Sequence, residues 1–179
     1  MKYFVPLFLF IALCGSCMQE QDFNQFENLS IRPTITSSIL YIETTEEFIN
    51  SVVPGAFYAE EFNFDAFTED FFAEGVLSGV LTYEVENSTS KTIEIVIELL
   101  DENGIVLDTE PILVEPAPPV FTKMVEIAYG PGGRSIDIIK NTSAIRVSAQ
   151  NLSDDTSISN ELDPKIILRS SGTFKVELK

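Results

Sequence analysis

Over Leu81–Glu86, and again over Ile93–Leu99, the chain alternates apolar and polar residues with a period of two. Leu81, Tyr83 and Val85 share one parity, with Thr82, Glu84 and Glu86 between them. Ile93, Ile95, Ile97 and Leu99 repeat the pattern around Glu94 and Glu98. A helix would scatter these apolar residues around its axis, whereas a strand sends successive side chains to opposite faces. The pattern therefore predicts two strands, each with one buried and one solvated face, joined by a turn at Asn87-Ser88-Thr89-Ser90. The next connection, Asp101-Glu102-Asn103-Gly104, contains an Asn-Gly pair. That pair predicts a tight hairpin of type I′, with positive φ at both central residues. Ile105–Val114 is then the returning strand.

The same reading extends in both directions. Ile35–Ile42 is rich in β-branched residues and is expected to be a strand. Thr44-Thr45-Glu46-Glu47 supplies helix-capping and first-turn chemistry, so a short helix is expected through Phe48, Ile49, Val52 and Val53, stopped by Pro54-Gly55. Tyr58–Phe64 alternates again. Phe64, Phe67 and Phe71 fall at helical spacing, which predicts a turn or two of helix over 65–73 before Gly75. Pro116, Pro118 and Pro119 mark a crossing loop or sheet edge. Phe121–Tyr129 alternates, Gly130-Pro131-Gly132-Gly133 breaks the chain, and Ser135–Lys140 reads as one helical turn bridging two sheets. Ile145, Val147 and Ala149 form another strand. Asn151–Glu161 is a polar loop, and two short strands, Ile166–Leu168 and Phe174–Leu178, close the chain.

Seven to nine short strands with one or two short helices predict an all-β fold, an antiparallel β-sandwich; a small barrel is the alternative. "Ig-like" describes this architecture only, because the tryptophan and cysteine pair of some immunoglobulin domains are both missing.

The first seventeen residues are of another kind. Lys2 is a short positive region, and Tyr3–Leu13 is apolar over about eleven residues, the length of a secretory signal and too short to span a bilayer. Leu13-Cys14-Gly15-Ser16-Cys17 resembles the lipobox of bacterial lipoproteins, with small Ser16 before the cysteine. It departs from the family where Cys14 replaces the usual leucine three residues before the modified cysteine. The resemblance implies cleavage after Ser16, lipid on Cys17 and anchorage in the bacterial envelope, on the outer membrane. Cys14 is the rival lipid site, and an ordinary cleaved signal is the other reading. Gln19, Glu20, Gln21 and Asp22 resemble surface-export signals of some Bacteroidetes lipoproteins; a plain solvated linker explains them equally well. The expected organisation is a signal over 1–16, a polar tether over 17–33 and a domain over 34–179.

Composition narrows the chemistry. The 179 residues include 28 acids against 11 bases, net −17, and no histidine or tryptophan. Loss of residues 1–16 would leave 28 acids against 10 bases. Such a chain is a poor nucleic-acid ligand, because binding rests on neutralising phosphates. Without histidine, Ser-His-Asp and Cys-His mechanisms cannot be assembled, and with both cysteines at the signal junction His/Cys zinc sites are excluded. Carboxylate chemistry, Ser-Lys chemistry or no chemistry remains. No cofactor and no catalytic residue is expected.

Residues 33–90 hold eleven acids, no lysine or arginine, and seven of the fourteen phenylalanines. One reading is an acidic aromatic edge that binds a basic or amphipathic partner, with Phe57, Tyr58, Phe67, Phe71 and Phe72 as contact residues. The other is a Phe-packed core with an acidic solvent face. Asp101/Glu102/Asn103 and Asp154/Asp155 offer oxygens to calcium but lack the D-x-D-x-D-G spacing. Gly130–Arg134 is glycine-rich but lacks the Lys-Ser/Thr of a phosphate loop. The expected function is thus an anchored, non-enzymatic module that binds another envelope protein or a surface polysaccharide. The alternative is a carrier with an aromatic-lined apolar cavity of about 300 Å³ or more.

Overall fold

The structure, a computed structural model, describes residues 30–178 apart from 53, 54, 65, 66 and 68; of Asp70 and Phe71 only the backbone is described. The signal, Ser16, Cys17 and nearly all of the tether expected over 17–33 lie outside the described residues. Residues Ile31–Leu178 form one compact body.

Eight strands run through it: β1 (Thr34–Thr45), β2 (Ala56–Asn63), β3 (Val76–Asn87), β4 (Ile93–Leu100), β5 (Val106–Val114), β6 (Phe121–Tyr129), β7 (Ala144–Asn151) and β8 (Lys165–Val176). Three short helices interrupt them: α1 (Glu46–Ser51), α2 (Asp70–Gly75) and α3 (Ile136–Asn141). The strands form two antiparallel four-stranded sheets, ordered β1-β8-β3-β6 and β2-β7-β4-β5. The fold is the expected β-sandwich, and no sheet closes on itself. Its strand order, which alternation does not encode, is that of an eight-stranded jelly roll, in which every successive pair of strands except β4 and β5 lies in different sheets.

The inward parity is as expected. Leu81, Tyr83, Val85, Ile93, Ile95, Ile97 and Leu99 are buried, and they meet Ile112, Ile127, Ile145, Val147, Leu168 and Phe174 in one core. Each such side chain contributes roughly 1.5–3 kcal/mol on leaving water. Thr45 caps α1 as expected, accepting a hydrogen bond from the Phe48 N–H. Ser135 caps α3 in the same way, and α3 carries the chain from the first sheet to the second.

Four local expectations are corrected. The hairpin at Asp101–Ile105 is not type I′. Gly104 has positive φ (76°), but Asn103 does not. The Asp101 carboxylate accepts the N–H groups of Asn103 and Ile105 (2.9 and 2.8 Å), and the Asp101 carbonyl accepts that of Gly104 (3.0 Å). This side-chain capture favours an ordinary turn followed by a left-handed glycine. The helix expected over 65–73 starts only at Asp70; the rings that meet are Phe64, Phe67, Phe72 and Phe174, from four places in the chain. The helix expected to run to Val53 ends at Ser51. The two closing strands are one, β8, continuous through Ser170-Ser171-Gly172. Pairing also begins ahead of Thr34: the Leu178 N–H donates to the Ile31 carbonyl and that of Val176 to the Pro33 carbonyl (2.8 and 3.0 Å).

The topology separates two ends. The chain enters at Ile31, beside Leu178. Phe64, Phe67 and residues 69–75, together with 101–105 and 130–143, cap this near end. β1, twelve residues long, runs ~40 Å to the far end. There α1, the β3–β4 turn, the Pro116–Pro119 loop and the Asn151–Pro164 loop lie together.

Candidate functional site: the distal loops

The far end is organised around two buried charges. Glu46, the first residue of α1, is 1% exposed, and Lys91, just before β4, is 0% exposed. A buried charge persists only when its hydrogen-bonding capacity is met. The Ser90 N–H and hydroxyl donate to Glu46 Oε1 (2.6 and 2.7 Å), and the Ser159 N–H donates to Oε2 (2.8 Å). Lys91 Nζ donates to the Ser157 carbonyl and hydroxyl (2.8 and 2.7 Å) and to Asp154 Oδ1 (3.2 Å). The same Asp154 oxygen accepts the N–H groups of Ser157 and Thr156 (2.6 and 2.8 Å). Those backbone donors, helped by the Ser157 hydroxyl and Lys91, hold the Asp154 carboxyl well below the usual carboxylate range.

Asn87 completes the scaffold. Its Oδ1 accepts the N–H and hydroxyl of Thr89 (2.9 and 2.7 Å), and its Nδ2 donates to the carbonyls of Lys91 and Glu115 (both 2.8 Å). The β3–β4 turn is thereby bonded to α1, to the Asn151–Pro164 loop and to the proline loop. Lys91 and Ser157 place an amine 2.7 Å from a hydroxyl, the spacing of a Ser-Lys pair. Nζ also reaches the Ser157 carbonyl and Asp154, so the pair is built into the network that holds the Asn151–Pro164 loop.

Beside this network lies an open cleft of about 540 Å³ between α1 and the Asn151–Pro164 loop, with Glu47, Asn50, Asp155, Ile158 and Asp163 in its walls. Asn50 Nδ2 donates to the Ser157 carbonyl (3.1 Å), while Asn50 Oδ1 is buried without a donor. Asp163 shares Lys165 with Glu43. By contrast, the apolar gap between the sheets, lined by Ile42, Phe57, Tyr58, Ile95, Val147 and Leu168, measures about 20 Å³. That is room for one water and not for an apolar ligand.

The residues singled out from sequence are dispersed. Phe57, Phe67 and Phe72 are buried core residues, Tyr58 is half-buried with its hydroxyl on Glu60, and the side chain of Phe71 lies outside the described residues. Phe67 and Phe72 pack with Phe64 and Phe174 toward the near end, away from the cleft. Arg134 of the glycine-rich turn is engaged by two carboxylates, Asp108 and Glu110 (both 2.7 Å), and Asp108 also accepts the Tyr129 hydroxyl. Among the described residues no group of three or more carboxylates is placed to hold a metal, and no helix is long and apolar enough to cross a membrane.

Sequence reasoning missed Glu46, Asn87 and Lys91. The signal was present. Odd-numbered residues from Leu81 to Leu99, including Asn87, Thr89 and Lys91, are all buried. The alternation runs through the turn without losing phase, so Lys91 stands in register with Ile93.

The chain is therefore a jelly-roll sandwich with an acidic cleft among its distal loops. No protein-family profile and no curated protein sequence matches it. Among solved structures it is similar to the VP2 subviral particle of infectious bursal disease virus, with 10% identity and a TM-score of 0.41 over 83% of this chain. The black queen cell virus structure aligns over 92% of this chain and 77% of its own, at 14% identity and TM-score 0.38. Tailspike protein 4 of bacteriophage CBA120 aligns over 82% of this chain at 14% identity and TM-score 0.36. The chain spans about a third of the VP2 chain and a fifth of the tailspike.

Proposed function

We propose that this chain is a non-enzymatic binding or structural module of the bacterial envelope. Lipid on Cys17 holds it at the outer membrane, and its distal loops meet another envelope protein or a surface polymer. The observation that supports this reading is the polarity of the domain. The polypeptide enters at Ile31 at one end, and the cleft lies ~40 Å away at the other, along β1. The lipobox-like Leu13–Cys17 supplies the anchor. The acidic surface disfavours direct adhesion to anionic lipid, so attachment falls to the acyl chains.

The test has two parts. Cys17→Ser should move the protein from the carbonate-washed membrane fraction to the soluble fraction. Retention of this variant together with release of Cys14→Ser would place the lipid on the wrong residue here. Affinity purification of the lipidated protein from native membranes should then recover a stoichiometric partner. Recovery of the bait alone, across detergents, defeats the binding-module reading.

A further inference from the structure

β1 is the strand by which the chain leaves the near end. It lies antiparallel on β8 along its whole length, from Thr34 beside Lys175 to Thr45 beside Lys165. The pairing continues outward at the near end, where Ile31 meets Leu178 and the Arg32 guanidinium meets the Glu177 carboxylate (2.7 Å). Side chains cross the same ladder further on. The Thr36 and Thr173 hydroxyls are 3.0 Å apart, and Lys165 Nζ lies 3.1 Å from Glu43 Oε1. On its other side β8 is held by β3, from Val76 to Asn87. At the far end the Glu46 N–H donates to the Pro164 carbonyl (2.9 Å), which ties the residue after β1 to the residue before β8.

The hydrogen bonds of an antiparallel ladder lie perpendicular to its strands. Sliding the strands past one another therefore strains all the bonds together, whereas drawing two adjacent strand ends apart strains them one after another. The β1–β8 ladder meets both kinds of pull. Ile31 and Leu178 are adjacent ends, so a pull between the chain termini peels the ladder from the near end. A pull between Ile31 and the Asn151–Pro164 loop enters β1 at its near end and β8 at its far end, Lys165, in opposite directions along one axis. That pull shears the ladder. A pull between Ile31 and α1 runs straight along β1. We propose that the β1–β8 ladder is a tension clamp, set in shear, that keeps the domain folded when its N-terminal anchor and a far-end partner are drawn apart. The proposal rests on reading the chain as an anchored binding module, and it adds the direction in which that module resists force.

Single-molecule force spectroscopy on the chain from Cys17 to Lys179, produced without lipid, tests this. The Cys17 thiol takes one handle, and Leu162→Cys, at a loop residue that is 98% exposed, takes the other. In a second variant the other handle sits on Lys179→Cys instead. At equal pulling speed the Cys17/162 pair should unfold in one step, at a force at least about twofold above that of the Cys17/179 pair. Equal forces, or a higher force for the Cys17/179 pair, would overturn the clamp. So would an early release of the 151–164 segment alone in the Cys17/162 pair, because the loop would then yield before the ladder. The two readings fail separately. Force is measured on the isolated chain, so a purification that recovers no partner defeats the binding module and leaves the force difference standing. Equal forces remove the clamp and leave a recovered partner untouched.

Discussion

Glycine at 79 and at 172 is required by one ring. A Cβ built on Gly79 would sit 2.3 Å from Cδ1 of Phe174, and one on Gly172 would sit 2.4 Å from its Cε2. The phenylalanine fills the space that two neighbouring strands leave empty, which also explains why β8 continues through Gly172. Gly79→Ala should therefore cost about 1–3 kcal/mol through overpacking. Phe174→Leu in the same chain should recover part of that loss, whereas additive losses in a urea titration would disprove the contact. None of this was visible in sequence, where two short strands are read on either side of residues 169–173, because the ring that needs the glycines is named only by the pairing of β3 with β8. Asp154 gives a second prediction. Its folded pKa is depressed, so the stability it contributes is present above the unfolded carboxylate value and is lost as pH falls through the folded one. Asp154→Asn should lower the thermal midpoint equally at pH 7 and pH 5, with the gap closing only below about pH 4. A gap already closed at pH 5 would mean that the Ser157 and Thr156 amides do not hold this carboxylate.

Elements were legible wherever one face is buried. β4 shows why: Ile95 is 3% exposed, while its neighbour Glu94 faces out and accepts a hydrogen bond from Gln150. Ile95→Asp should destabilise by at least ~3 kcal/mol, since the carboxylate must be buried unpaired or protonated. Glu94→Lys should cost about 1 kcal/mol or less, the value of one partly exposed hydrogen bond. Similar denaturation midpoints for the two variants would mean the strand register is misread. Legibility failed where local chemistry had two outcomes. The Asn103-Gly104 pair suits a type I′ turn, but the Asp101 side chain captured the backbone first. Phe64, Phe67 and Phe71 suit a helix, but Phe67 and Phe72 pack instead on Phe174, about a hundred residues away. The distal network failed for a simpler reason: a Ser/Thr/Asn-rich turn reads as solvated, and only the uninterrupted phase through Lys91 says otherwise.

At the scale of the whole molecule, the number of strands and the two-layer packing follow from alternation, and the strand order does not. Long-range pairing decides the order, and nothing local in β1 names β8 as its neighbour. The body Ile31–Leu178 contains all eight described strands and a core of its own, so a fragment over these residues should fold alone. It should give a β-type circular dichroism spectrum and one cooperative unfolding transition; a helical spectrum or a non-cooperative melt would contradict this structure.

An open two-layer fold also exposes four strand edges, each a template on which a foreign strand can add. Here each edge is obstructed. β1 and β2 carry bulges, at Ser38/Leu40 and Ala56/Tyr58, that interrupt the row of free amides and carbonyls. β5 contains Pro111, and its Leu113 carbonyl accepts a hydrogen bond from Lys123 of β6. Arg134 and Tyr129, from the end of β6 and the turn after it, grip Asp108 and Glu110 of β5, so these two edges occupy one another. Copies crowded together therefore meet edges that are bulged, proline-bearing or bridged by side chains, which shortens the flat stretch on which a cross-β stack could begin.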